Sequence, residues 1–397
     1  MSKGEWLRPR DDEAGSRVTN IELFFDLVFV FAVTQLSHHL LGALTLGGAA
    51  ETLLLMMAVW WVWIYTSWVT NALDPDRTPV RLLLLALMLA GLVLSTSLPH
   101  AFAESGLIFA VTYAAMQVGR SVFVTASRRG GQPERYLNMQ RITLWLAFSA
   151  LFWIAGGIAE GGTRIALWWL ATAIEYVSPA IGFRVPGLGR SYVQDWDVEG
   201  GHMAERCSLF VLIALGESIV VTGTTFGEVA WEWDVVLAFA VAFIGSVAFW
   251  WIYFDRAVER GAARIREDEA PGRLARMAYT YLHLPIVAGV IVGAVSDDLV
   301  LAHPHEPADA ATIAVGLGGP ALYVAGNLLF KWTIAGRPPL SHLIGLALFA
   351  CTLPFAHRLS LLEMAMAATA GLLVVAAWET IVLSRGPLPE HRDRDVA

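Results

Sequence analysis

The chain has 397 residues, 56% of them hydrophobic and 16% charged, with 16 Trp, 19 Phe and a formal net charge of -8 at pH 7; its mean hydropathy is +0.57. Soluble domains carry about 25% charged and roughly 45 to 50% apolar residues, so an ordinary aqueous globule is excluded, and so is a disordered chain. The acidic balance offers no basic face for nucleic acid, and the two cysteines, Cys207 and Cys351, both inside apolar runs, build neither a disulfide framework nor a CxxC metal site.

Taken in chain order, the tail Met1 to Thr19 is polar and mixed in charge, with no apolar core of its own and no A-x-A cleavage signal. The first apolar run therefore reads as a retained span. Runs bounded by Gly, Pro and charged residues predict membrane spans over 21–41, 51–70, 81–99, 106–126, 142–159, 164–181, 206–224, 234–254, 277–295, 311–330, 340–356 and 361–383. Twelve runs of about 20 residues use roughly 240 residues, which leaves short loops and no room for a large soluble domain.

Lys and Arg set the expected orientation. The tail carries Lys3, Arg8, Arg10 and Arg17, and every second loop after it is basic: Arg77 and Arg81; Arg128, Arg129, Arg135 and Arg141; Arg184, Arg190 and Arg206. The alternation continues with Arg256, Arg260, Arg264, Arg266, Arg273 and Arg276, then Lys331 and Arg337, then Arg385, Arg392 and Arg394. Of the 27 basic residues only Arg120, Arg164 and Arg358 fall elsewhere. The positive-inside rule then predicts both termini in the cytoplasm. The expected fold is an all-α integral membrane protein of about twelve transmembrane helices. It divides into a cytoplasmic tail (1–20), a first six-helix repeat (21–181), a cytoplasmic linker (182–205), a second six-helix repeat (206–383) and a cytoplasmic C-terminal tail (384–397).

The repeat rests on matched positions. Trp63-Ile64-Tyr65 on span 2 answers Trp251-Ile252-Tyr253 on span 8, each followed by a loop rich in Asp and Arg. Ala90-Gly91 answers Ala288-Gly289, Tyr113 and Gln117 answer Tyr323 and Asn327, and Glu175 answers Glu379. Polar positions recurring at a nearly constant offset point to duplication. Six spans per unit make both copies enter the bilayer in the same direction, about an axis along the membrane normal.

Ionisable side chains at membrane depth cost several kcal/mol unless paired or wetted. Glu22, three residues after Thr19, has capping-box spacing. Asp26 lies one turn further on, about 6 Å deeper, and is expected to face the bundle interior, paired with a cation or titrating. Span 7 opens His202-Met203-Ala204-Glu205-Arg206-Cys207 and runs through Gly216-Glu217-Ser218. Setting Glu22 against Glu205 aligns Thr34-Gln35 with Glu217-Ser218, so both first helices carry polar pairs at one depth. Glu217 lies about 18 Å beyond Glu205, inside a core about 30 Å thick, and Gly216 beside it could allow close helix approach or a local break.

Arg120 is the expected buried cation, available to Asp26, Glu175 or Glu217, while Lys331 is expected to snorkel to the interface. His283, beside Pro285, reads either as a proton-relay group or as a hydrogen-bonded structural histidine. His38, His39, His100, Asp297, Asp298, His303, His305 and Glu306 read as solvated outer loops whose spacing matches no standard zinc site. Trp60, Trp61, Trp63, Trp68, Trp168 and Trp169 read as interfacial belts. No phosphate loop, metalloprotease, nucleophile-elbow or dinucleotide motif occurs, so no cofactor or metal is expected.

The stretch Arg17-Val18-Thr19-Asn20-Ile21-Glu22-Leu23-Phe24-Phe25-Asp26-Leu27-Val28-Phe29-Val30-Phe31-Ala32 closely resembles the opening of the bacterial low-temperature-requirement A family. His202 to Arg206 with Gly216-Glu217-Ser218 is similar to that family's second motif. The resemblance spans essentially the whole chain and implies a multi-pass inner-membrane protein associated by name with growth in the cold; it brings no substrate or reaction. The sequence favours a secondary transporter or channel-like permease of a small solute or ion, coupled through Glu22, Asp26, Gln35, Arg120, Glu175, His202, Glu205, Glu217, Ser218, His283 and Glu379. Alternatives are a sensor or lipid-organising protein without turnover and a membrane enzyme acting on lipids or isoprenoids, with Glu205, His202 and Asp26 as acid-base groups. The expected partners are the bilayer, a small solute or ion and, as an option, a second copy of the chain.

Overall fold

The computed structural model describes residues 6–8, 17–128, 132–192, 198–254 and 271–384. Among the described residues twelve helices follow one another: α1 (Asn20–Gly42), α2 (Leu46–Ala72), α3 (Thr78–Ser97), α4 (Gly106–Ser127), α5 (Pro133–Ile158), α6 (Gly161–Val177), α7 (Gly200–Glu228), α8 (Trp233–Phe254), α9 (Gly272–Ala302), α10 (Ala310–Ala335), α11 (Leu340–Thr352) and α12 (Leu361–Ser384). Single 3-10 turns, Leu98–His100 and Leu353–Arg358, prolong α3 and α11. Eleven of these elements are long and apolar enough to cross a membrane, while α6 has 17 residues, at the short limit of about 17 to 25 for a span. The protein is an all-α, multi-pass integral membrane protein. Lys3, Arg10, Arg129, Arg256, Arg260, Arg264, Arg266, Arg385, Arg392 and Arg394, with most of both tails and the loop after α8, lie outside the described residues.

Several helices begin where side chains supply the missing backbone partners. The Thr19 N–H donates to Glu22 at 2.9 Å, Thr45 accepts from the Gly48 N–H and Asp309 accepts from the Thr312 N–H at 2.8 Å; each satisfies an N–H that the first helical turn or its cap leaves open. Pro285 has no N–H to give, and the turn before it, Arg276–Tyr281, widens into a π turn, the local answer to a proline inside a helix. The Ala278 carbonyl is taken by His283 Nδ1 at 2.8 Å.

One continuous apolar core joins the first six helices to the last six. It runs from Phe25 and Phe29 on α1 through Trp60, Trp61 and Trp63 on α2 to Phe210 on α7, Tyr279 on α9 and Tyr323 on α10. Trp60, Trp61, Trp63 and Trp168 are therefore core residues, each at most 2% exposed, and not an interfacial belt; Trp68 and Trp169 are partly buried against the same core. Indole rings can enter a membrane interior where the N–H finds an acceptor. Trp60 donates to the Thr280 carbonyl at 2.7 Å, Trp63 to Asp26 and Trp168 to the Trp153 carbonyl.

Helices α1 and α7 lie side by side and run in the same direction. Contacts from Val18 to Glu205, from Glu22 to Arg206 and from Thr34 to Glu217 ascend both helices together. Helix α7 starts at Gly200, so His202, Glu205 and Arg206 belong to the helix and not to a linker or loop. Asp297 and Asp298 likewise lie on α9 and not in an outer loop; they accept hydrogen bonds from Ser218 at 3.2 Å and from Thr225, both on α7.

Small residues set the closest helix approach. A Cβ at Gly289 would meet the Tyr323 backbone nitrogen at 2.5 Å, whereas one at Gly216 meets nothing within 4 Å, so Gly216 marks no close approach. Gly289→Ala is expected to push α9 from α10 and destabilise the fold by about 1 to 3 kcal/mol, lowering the melting temperature of the detergent-solubilised protein. Gly216→Ala, measured beside it, is expected to leave the melting temperature unchanged or raise it.

Candidate functional site

Four elements meet at the N-terminal ends of α1 and α7. Asp26 on α1 is fully buried. Its Oδ2 accepts from Arg206 Nη1 at 2.7 Å and its Oδ1 from Trp63 Nε1 at 2.7 Å. Arg206 also donates to the Glu22 carbonyl at 2.9 Å and to Ser67 Oγ, and its guanidinium lies over the Trp63 ring, 5.4 Å from the centroid. Arg120, which the sequence offers to Asp26, Glu175 or Glu217, pairs with none of them. The partner of Asp26 is Arg206, because starting α7 at Gly200 places this arginine a turn and a half inside the helix, level with Asp26.

Glu22 is more than a helix cap. Its Oε2 accepts from the Thr19 N–H and hydroxyl, and its Oε1 pairs with His202 Nε2 at 2.8 Å. Arg8 approaches it at 3.5 Å while donating to the Thr70 carbonyl at 2.8 Å. The tautomer of His202 follows from its other neighbour. Asn71 accepts from the Glu199 N–H through Oδ1 and donates to the Glu199 carbonyl through Nδ2. That fixes its amide orientation, so Nδ2 also donates to His202 Nδ1 at 3.1 Å. Nδ1 is then the acceptor, and Nε2 carries the proton donated to Glu22. With a neutral His202, two carboxylates balance two guanidiniums, and the cluster enters the bilayer without net charge. Glu205, exposed, holds the Val18 N–H at 3.1 Å instead.

The remaining candidates form separate groups. Glu175 accepts from Tyr113, from Ser149 at 2.6 Å and from Trp153 at 3.1 Å. Arg120 donates to the Val62 carbonyl and Thr66 Oγ1, both at 2.9 Å, and to Gln117, and forms no ion pair among the described residues. Lys331 does not snorkel: its Nζ reaches Glu379 at 2.5 Å and the Ile252 carbonyl at 2.8 Å, and His342 stands 3.6 Å from the same carboxylate. His283 takes the structural role, between Tyr253 and the Ala278 carbonyl. Since a carbonyl only accepts, Nδ1 carries the proton and Nε2 accepts from the Tyr253 hydroxyl.

Glu217 stands apart. Its Oε2 accepts from Thr34 Oγ1 at 2.6 Å, across the α1 to α7 contact, while its Oε1 is buried and has no hydrogen-bond partner among the described residues. One residue on, Ser218 lies 3.2 Å from Ser246 and donates to Asp297 at 3.2 Å. Gln35 takes part in none of these bonds, and the acids do not gather in one polar space. Among the described residues no three of His, Cys, Asp and Glu come close enough together to hold a metal ion.

Residues 17–377, which hold every one of these groups except Arg8 and Glu379, match the family model described as bacterial low temperature requirement A protein. The chain belongs to this family. It is 42% identical over 384 residues, 95% of this chain and 92% of the other, to an uncharacterized protein of Rhizobium meliloti (strain 1021). No solved structure matches it.

In this family member, sequence reasoning singled out Glu22, Asp26, His202 and Glu217 but missed Trp63, Ser67, Asn71 and Arg206 as their partners. Ser67 and Asn71 follow Trp63 by four and eight residues on α2, which places all three on one helix face, so that face was there to be read. Removing one member of a buried ion pair leaves the other uncompensated, at about 3 to 5 kcal/mol. Asp26→Leu and Arg206→Met are each expected to lose that much in unfolding experiments on the purified protein. The double variant is expected to recover a large part of the loss, and strict additivity would show that the two side chains are not coupled.

Proposed function

We propose that this protein is a permease for protons or a small ion or solute, with the conducting element at the α1 to α7 contact and Glu217 as the group that exchanges its partner. The observation that carries the reading is the buried Oε1 of Glu217, which has no hydrogen-bond partner among the described residues. A carboxyl oxygen left unsatisfied in a low-dielectric interior is costly, and a proton, a hydrated cation or a polar solute would occupy that seat in passing. Intramembrane carboxylates of this kind mark ion and proton pathways.

Glu22, Asp26, Glu175 and Glu379 have a different part in this reading. Each already has its donors, so they hold helices in register instead of exchanging ligands. A parallel six-helix duplication supports the same picture. Thr34 and Glu217, which touch, are 183 residues apart, the same separation as the matched Glu22 and Glu205, so the exchanging group would sit beside the axis relating the two halves. The arginine distribution supports placing both termini in the cytoplasm and the protein in the inner membrane.

The test is reconstitution of the full chain into liposomes with an entrapped pH-sensitive dye, under imposed proton, sodium and potassium gradients. Flux above that of empty vesicles is expected, falling at least about tenfold in Glu217→Gln with an unchanged melting temperature, and falling less in Thr34→Val. Absence of flux under every gradient, or a Glu217→Gln protein that conducts like the unaltered one, overturns the proposal.

A further inference from the structure

A second feature lies away from Glu217, among the ends of α2 and α4, the start of α5, the turn after α6 and the start of α9. There a narrow cleft of about 90 Å³ opens to the surface. Its walls are apolar and aromatic, with Tyr65, Trp68, Val124, Met139, Ile142 and Phe183. Arg120 lies at its buried end, and Arg128, Arg135 and Arg276 line it further out. An adjoining recess shares Pro179, Gly272 and Arg276 and adds Arg190 and Arg273. Among the described residues, no Asp or Glu lines either space.

The wall is fixed by its own contacts. Phe183 is buried at φ 47°, a left-handed backbone that bulky side chains avoid. The loop that carries it closes through a backbone bond from the Ser191 N–H to the Gly182 carbonyl at 2.7 Å and is tied to α5 by Arg141 Nε, which donates to the Leu188 carbonyl at 2.8 Å. On the opposite wall, Trp68 Nε1 donates to Thr280 at 2.9 Å.

Arginines collected around a largely apolar space, with no acid among its described lining residues, have the chemistry that receives a phosphate carrying an apolar chain. The guanidinium forks donate to the phosphate oxygens in pairs, and the aromatic walls cover the chain. A soluble anion would gain nothing from those walls, and a neutral lipid nothing from the arginines. Basic pockets between helices at the basic end of a membrane protein are where anionic headgroups bind. We propose that this cleft binds an anionic phospholipid, with Arg276, common to both spaces, as its main phosphate contact.

The experiment is native mass spectrometry of the full chain released from a neutral detergent, titrated separately with phosphatidylglycerol, phosphatidylcholine and inorganic phosphate. Phosphatidylglycerol is expected to be retained at low stoichiometry and at least about tenfold more tightly than phosphatidylcholine, with inorganic phosphate competing only weakly. Arg276→Gln is expected to weaken phosphatidylglycerol about tenfold, Arg276→Lys less, and Arg135→Gln combined with Arg276→Gln further, with melting temperatures confirming folded protein. Should Arg276→Gln fail to fold, Arg135→Gln with Arg190→Gln, on the rim, carries the same expectation. Equal retention of both lipids, unaltered retention in folded variants, or displacement by inorganic phosphate at concentrations comparable to the lipid would overturn the proposal.

Discussion

The ion pair between Asp26 and Arg206 is the contact around which the rest of the bundle is arranged. A carboxylate and a guanidinium can remain buried together only if their geometry is good and their remaining donors and acceptors are met. Here the other Asp26 oxygen accepts from the Trp63 indole, Arg206 Nη1 donates also to the Glu22 carbonyl, and Nε and Nη2 donate to Ser67. Those requirements bring α1, α2 and α7 to one point, and they link the first six helices to the last six. The paired offsets of α1 and α7 then persist from Val18 as far as Thr34.

Polar chemistry in this protein divides by whether a group's needs are met internally. Glu22, Asp26 and Glu175 have donors for both oxygens, and Glu379 faces Lys331 and His342. Such groups resist exchange, because leaving a partner in an apolar medium exposes the full desolvation cost. Glu217 has one oxygen met and one open. Among the described residues Glu217 is the carboxylate with such an open buried oxygen, which separates it from the acids that hold helices together.

The two proposed sites rest on opposite arrangements of charge. At the α1 to α7 contact Glu217 accepts a hydrogen bond from the Thr34 hydroxyl. At the ends of α2, α4 and α9 arginines border an apolar cleft whose described lining contains no acid. One suits passage of something small, the other retention of something amphiphilic, and neither depends on the other.

The number and placement of the helices were legible in the sequence because a bilayer imposes a length on every apolar run: all twelve predicted spans have a helix over them. The need of Asp26 for a partner was legible too, as was the place of Glu217 well inside α7, since a helix rises by a constant amount per residue. Which cation answers Asp26 was not legible, because the Gly200-Gly201 step reads as linker while helix formation begins there, bringing Arg206 inside. Nor could the sequence tell that Trp60 and Trp63 face a core, since an indole suits an interface or an interior depending on whether an acceptor from another helix meets its N–H. Periodicity and hydropathy belong to one segment at a time, whereas charge pairing, hydrogen-bond satisfaction and the open oxygen of Glu217 are decided by which segments become neighbours. That choice is made only by the tertiary fold.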